Sequence, residues 1–446
     1  MIAGARPESP QFGTIPRLEK AGIVLLVLSF TSQVYKTLLE GVLPVDLTLL
    51  YGALSAAILV AVVLRRGGLA GPQPLALALA LLGLYLFPTF YLAGADLSDE
   101  YTATKALGFF GFALFSLVAP ILYFVDYRRL RFFVRWLLIV STAVIAYVLL
   151  EALVSGTFDR AGFRGRDGGL SANVILLSRI EAGTALLAFL QWRSRDPVLP
   201  RPVCLAIFLA MVLAALVTAS RGPLFGMVAV LILLHHTNLR DGLSQFKRLG
   251  VLLVVLVLGY ALAPHVAEIL PEASAAKLAS IESSARFALW SEALRIFAAN
   301  PIGVGFGEFA AHTAAPGLSG LYYPHNLVLE YLAETGFVGA LCLVLLLARI
   351  VLHQRPRADL SDVYTQSFVM FAFLLLQAMV SVDMQGNRLL FCFIGIELVK
   401  NALPAVHRPP RRRAPPGRSR ASPGPAVGGG VRTRRDGALA RGSSSG

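Results

Sequence analysis

Twelve apolar stretches long enough to cross a bilayer govern what this chain can become. They run near 21–37, 43–64, 73–93, 104–125, 131–153, 168–191, 201–219, 222–236, 249–265, 325–348, 363–384 and 387–404. A membrane-spanning helix needs roughly 20 apolar residues, and each of these runs is close to that length. Composition agrees: 56% of the 446 residues are hydrophobic, 15% are charged, and the mean hydropathy is +0.68. Soluble domains carry about 25% charged residues, so a soluble multidomain enzyme is excluded. The expected fold is an all-α polytopic membrane protein with about 12 transmembrane helices.

The segments follow from that pattern. Residues 1–20 form a leader, 21–263 hold spans 1–9, 264–324 form one large loop, 325–404 hold spans 10–12, and 405–446 form a tail. The leader lacks a small-residue cleavage site, so the first run reads as a retained helix rather than a signal peptide. Between the seventh and eighth runs, Ser220-Arg221-Gly222-Pro223 breaks one long apolar stretch and reads as a turn. Cys204, Cys342 and Cys392 all fall in apolar runs and read as small buried hydrophobes, not as a disulfide framework.

The net charge of +14 is unevenly spread. Residues 401–446 hold ten arginines against the single acid Asp436, and they are rich in Pro, Gly and Ser. Such a tail cannot bury a core. Beside the last span it is expected to touch anionic lipid on the cytoplasmic face rather than nucleic acid. With the N-terminus inside, cytoplasmic connections ahead of the tail carry 18 Lys and Arg and the outer connections ten. The positive-inside rule then puts both termini in the cytoplasm and the 264–324 loop outside.

Arginines on the outer side run against that rule, and a guanidinium fork matches phosphate oxygens. Arg221, Arg286 and Arg388 together point to a phosphate or pyrophosphate ligand, against the alternative of snorkelling anchors. In the large loop, Ser284 is placed to cap a helix over Ala285 to Ala299, with Phe287, Trp290, Leu294 and Phe297 on one stripe. This predicts an amphipathic helix lying on the membrane or on the bundle. Asn300-Pro301 stops it, and Gly303, Gly305 and Gly307 follow. Those glycines fit either a tight turn or backbone amides open to a ligand.

Tyr322-Tyr323-Pro324-His325-Asn326 then leads into the tenth span, with Glu330 and Glu334 further along it. A neutral His325 at a helix start could take a proton from a sugar hydroxyl; a helix-end polar residue is the alternative. His265 and His312 lack such a setting. No HExxH or Cys–His cluster occurs, so neither metal nor cofactor is expected. Arg179 and Glu181 lie mid-span, where charge is costly; they line a polar cleft or tie helices together. Asp383, with Asn387-Arg388 in the turn between the last two spans, is placed to orient Arg388.

These residues resemble the O-antigen ligase/polymerase family of bacterial inner-membrane glycosyltransferases. The matching motifs are Ser220-Arg221-Gly222, Arg286…Trp290…Asn300-Pro301-Ile302-Gly303-Val304-Gly305, and His325-Asn326…Glu334-Thr335-Gly336-Phe337-Val338-Gly339. The Asn387-Arg388 turn is similar too, whereas the first 200 residues agree only in hydropathy, and Arg164-Gly165-Arg166-Asp167 matches no family motif. The resemblance implies a GT-C-like fold in the inner membrane and a periplasmic active site. It implies transfer of a glycan from an undecaprenyl-pyrophosphate carrier to lipid A–core or to a second carrier-linked glycan, without a metal. His325 would be the base, and Arg221 and Arg286, with Arg388, would hold the pyrophosphate. Two other classes compete. A lipid-linked oligosaccharide flippase would show internal repeats, which are not seen, and a scaffold would leave the motif order unexplained.

Overall fold

In the computed structural model, residues 14–39, 46–69, 71–154, 174–217, 221–236, 285–314, 322–353 and 362–402 are described. The run at 249–265, Arg164, Arg166, Asp167, His265 and the basic tail lie outside them. The first 403 residues form one compact unit. Its helices are α1 (Arg17–Leu39), α2 (Leu47–Arg65), α3 (Gln73–Leu84), α4 (Leu86–Leu92), α5 (Glu100–Ala106) and α6 (Leu114–Tyr123). After them come α7 (Tyr127–Val154), α8 (Val174–Arg193), α9 (Arg201–Val217) and α10 (Arg221–His236). The last four are α11 (Ala285–Ala299), α12 (Leu327–Leu352), α13 (Val363–Ala378) and α14 (Arg388–Ala402). A π-helical stretch, Leu107–Ala113, joins α5 to α6 into one continuous segment. There is no strand among the described residues.

Helices thus occupy every predicted run except the one outside the described residues. Four of them are long and apolar enough to cross a membrane: Leu47–Arg65, Glu100–Tyr123, Tyr127–Leu150 and Leu327–Leu352. The bent pair α3–α4 makes a fifth if counted as one span. The expectation of twelve spans therefore exceeds what length and composition support among the described residues, because helices such as α9, α10 and α13 are shorter.

The bend of 50° between α3 and α4 has a local cause. Pro88 has no N–H to give the Leu84 carbonyl, and its ring crowds that turn. The freed carbonyl accepts instead from the Tyr331 hydroxyl of α12 at 2.9 Å. Side-chain caps start other helices: Asp46 accepts from Thr48 N–H, Asp99 from Thr102 N–H, and Asp362 from Tyr364 N–H.

Contacts define two ends of the bundle. At one, Glu19 of α1 pairs with Arg66 at 2.9 Å and with Arg129 of α7 at 2.6 Å. The same end holds the Gln73 amide on the Ile121 carbonyl, and Lys400 of α14 donating to the Tyr364 carbonyl. The starts of α2, α5, α10, α12 and α14 lie at the other end, together with the end of α13. There the Gln377 amide donates to the Gly222 carbonyl at 3.4 Å, and the Asn326 amide to the Met379 carbonyl at 3.0 Å.

The glycines of the large loop build a joint with α12. Gly336 breaks α12 internally with φ 69° and ψ −171°, which frees carbonyls of the preceding turn. Val304 N–H and Gly305 N–H take the Ala333 and Glu334 carbonyls at 3.0 and 3.1 Å, and Phe337 N–H donates to the Pro301 carbonyl at 2.9 Å. Gly303, Gly305 and Gly307 all have positive φ (97°, 120° and 83°), which side chains other than glycine rarely tolerate. The Val304, Gly305 and Gly307 amides are thus engaged by α12 and the Gly303 amide by the Asn300 carbonyl, which fits the tight-turn alternative rather than an amide cradle.

A Cβ at Gly336 would sit 2.2 Å from the Ile302 carbonyl carbon. Left-handed backbone already costs a non-glycine residue about 1–2 kcal/mol, and backbone on both sides of the joint would have to move. Gly336→Ala should lower the thermal midpoint of the purified protein by on the order of 5 °C or more. An unchanged midpoint would show that the joint yields freely.

Helix α11 docks on α12 beside this joint. Leu289, Ala293 and Ile296 are buried against Phe309 and Ala333; each large apolar side chain so buried contributes about 1.5–3 kcal/mol. This corrects the expected stripe: Phe287 and Leu294 are exposed. The helix is apolar over a wide arc, and the neighbouring row, at i, i+4 and i+7, faces the bundle instead. Glu292, an acid among these apolar residues, is buried; it pairs with Arg295 at 2.8 Å and accepts the Ala314 N–H.

Candidate functional site

His325 stands where the chain enters α12. Asn326 caps that helix through Val328 N–H and Leu329 N–H at 3.0 and 3.1 Å, while its amide holds the end of α13. Pro324 is buried, and His325 adopts φ 55°, a left-handed backbone that costs a non-glycine residue about 1–3 kcal/mol. The ring sits edge-on to Tyr323 with centroids 4.4 Å apart, and its Nδ1 is buried with no hydrogen-bond partner. Burial, and then the Arg286 charge from α11, push the imidazole below its usual range, partly opposed by Asp383. Its environment thus favours the neutral imidazole, whose Nδ1 has no partner. The Arg286 guanidinium is itself partly buried, which lowers its pKa.

Asp383 occupies the turn between α13 and α14. Its Oδ1 accepts Gly386 N–H at 2.9 Å, its Oδ2 accepts the Gln385 amide at 2.9 Å, and the Tyr101 hydroxyl lies 3.5 Å away. Val382 beside it has φ 65°, an outlier for a β-branched residue. Strained backbone at both His325 and Val382 is the kind of geometry that surrounding structure must enforce. Asp383 also acts electrostatically on Arg179 and on Arg388. Arg179 of α8 donates to the Asn387 amide oxygen at 2.9 Å, with Nη1 buried and unpartnered. Arg388 lies over the Phe112 ring at 4.4 Å. Both arginines line a small, mainly apolar cleft whose other walls include Leu137, Leu176, Leu187 and Leu374. Arg179 thus joins two helices, one of the two alternatives, whereas the cleft it lines is mainly apolar and not the polar one expected.

Of the sequence-predicted residues, His325 and Arg286 interact electrostatically, and Arg388 shares Asp383 with His325. Arg221 begins α10, whose next residue, Gly222, is bonded to α13 two residues before the Met379 carbonyl held by Asn326; the Arg221 side chain lies outside the described residues. His312, exposed with its Nδ1 on the Glu308 carbonyl, keeps the structural role expected of it.

Two features escaped the sequence. Lys105, counted there among the outer cations, is fully buried and pairs with Glu334 at 2.5 Å and Glu330 at 2.7 Å; Glu334 also accepts Gly307 N–H at 2.9 Å. The signal was present, since an ionisable residue inside an apolar run seeks a partner. Tyr101 is the second: its ring stacks on Tyr322 and lies nearly parallel to Tyr323.

The described helices thus form a bundle of membrane-spanning character, with His325, Arg286, Asp383 and Arg388 at the end where α12 and α14 begin. Residues 206–344 match the family model described as O-antigen ligase, so the resemblance to the O-antigen ligase/polymerase family is shown over that segment. The match contains Arg221, Arg286, His325 and both glycine motifs; Lys105, Tyr101, Arg179, Asp383 and Arg388 come from outside it. No curated protein matches the chain.

Proposed function

We propose that this protein transfers a glycan from an undecaprenyl-pyrophosphate carrier to an acceptor hydroxyl on the periplasmic face of the bacterial inner membrane, as an O-antigen ligase or polymerase. The family match supports O-antigen ligase-type activity in general, with a lipid-linked glycan as donor and lipid A–core as one acceptor. The observation that carries the finer reading is the unpartnered Nδ1 of His325, in surroundings that favour the neutral ring and within reach of the Arg286 charge. His325 takes the acceptor hydroxyl proton as the oxygen attacks the anomeric carbon, and the carrier pyrophosphate leaves with the bonding electrons. Arg286, Arg221 and Arg388 stabilise the charge growing on it. The small apolar cleft that Arg179 and Arg388 line would take one prenyl unit of the carrier next to its pyrophosphate. Pyrophosphate is a good leaving group, so one base and fixed cations suffice.

The test is the pH dependence of kcat/KM for the protein in vesicles carrying the lipid-linked donor. The base works when neutral, so activity falls as pH drops through the histidine pKa. Because that pKa is lowered, the acid limb should lie below about 6.5, the ordinary histidine value. In Arg286→Gln the like charge is gone and Asp383 remains, so the limb should move to higher pH, alongside a loss of donor binding. A limb unmoved by that substitution would remove His325 as the titrating base.

A further inference from the structure

Tyr322, Tyr101 and Tyr323 form an aromatic array that leads from the surface to the candidate base. Tyr322 is 43% exposed although its ring is large and apolar. It stacks on Tyr101 with centroids 4.5 Å apart and planes 19° apart. Tyr101 lies within 11° of the plane of Tyr323, whose ring in turn meets the His325 ring. Tyr101 starts the Glu100–Tyr123 segment, and its hydroxyl approaches Asp383, so the ring beneath Tyr322 is fixed from two sides.

An aromatic face carries partial negative charge. The C–H bonds on one face of a pyranose are polarised positively and project together, so a sugar ring lies flat on such a face while its hydroxyls stay free for polar partners. A rigid, exposed tyrosine presents that surface at low entropic cost, because its position is already set by the ring behind it. The array meets His325 through the Tyr323 ring, whereas Arg179 and Arg388 line the cleft.

We propose that Tyr322, backed by Tyr101, is the stacking platform for a pyranose ring of the acceptor glycan, holding it so that one hydroxyl meets His325. This rests on the transferase reading, and the experiment separates the two. Saturation-transfer NMR on the full-length protein in nanodiscs, with methyl glucoside, methyl galactoside and methyl mannoside as probes, reports binding without turnover. Saturation should reach the pyranose C–H protons of at least one probe. It should drop at least fivefold in Tyr322→Ala, persist in Tyr322→Phe, and persist in His325→Ala. In the transfer assay, Tyr322→Ala should raise the acceptor KM at least tenfold with donor KM unchanged.

Equal saturation in the wild type and Tyr322→Ala overturns the platform, whatever His325→Ala does to turnover. A change confined to donor KM overturns the assignment to the acceptor. Loss of membrane insertion by Tyr322→Ala, with binding per inserted molecule unchanged, makes the residue an interfacial anchor and also overturns it. Normal transfer by His325→Ala, with Tyr322-dependent binding intact, removes the base and leaves the platform standing.

Discussion

His325→Gly should leave the protein folded, slightly stabilised if anything, and should cut glycan transfer by about 10²–10⁴-fold. The two halves of this result come from one backbone angle. At φ 55° histidine pays a strain that glycine does not, so its removal relieves the chain entering α12. The imidazole makes no hydrogen bond through Nδ1 that the fold would lose. The proton acceptor disappears all the same. Transfer from the lipid-linked donor in reconstituted vesicles, alongside thermal unfolding of the same preparation, reads both effects. A glycine variant that unfolds would make His325 a structural anchor, and one that transfers normally would end its assignment as base. His325→Asn, which also tolerates left-handed backbone, should match the glycine variant in activity.

Lys105→Met should be the most damaging single change to stability. The ammonium is fully buried between Glu330 and Glu334, themselves buried, with Tyr101 and Phe306 rings within 6 Å. Removing one member of a buried ion pair typically costs about 3–5 kcal/mol, because the partner charge is left uncompensated. Here two carboxylates are left. The loss should be softened in the triple variant that also carries Glu330→Gln and Glu334→Gln, since no net charge then remains in the cluster. Chemical unfolding in detergent measures the difference. If Lys105→Met and the triple variant were equally stable, the ammonium would not be neutralising the two acids. Glu334 also holds Gly307 N–H, so the joint between the large loop and α12 should loosen with the cluster.

The helices were legible because hydropathy is local: a run of apolar residues declares itself without knowing its neighbours. Their number was less so, because α9, α10 and α13 are too short to settle the matter by length alone. His325 and Arg286 could be named from their expected outer-face position and residue chemistry, and in the fold the Arg286 charge acts on His325. The face of α11 could not be read, since both of its adjacent rows are apolar and only the partner, Ala333 with Phe309, chooses between them. Lys105 stayed hidden for a related reason. Its partners lie more than 220 residues along the chain, and a lysine near the end of a span looks the same whether it snorkels or turns inward. Tyr101 and Tyr322 likewise meet only through the tertiary fold.

The joint at Gly303 and Gly336 separates two kinds of information within the family motifs. Its amides and carbonyls close on each other, so those glycines report architecture and say nothing of the molecule being moved. On the mechanism proposed above, a distant protein sharing the glycine spacing but carrying another residue at the position of His325 would share the joint and lack the base. Surveys that seek the same chemistry should therefore search on the histidine and the arginines, and use the glycines only to align them.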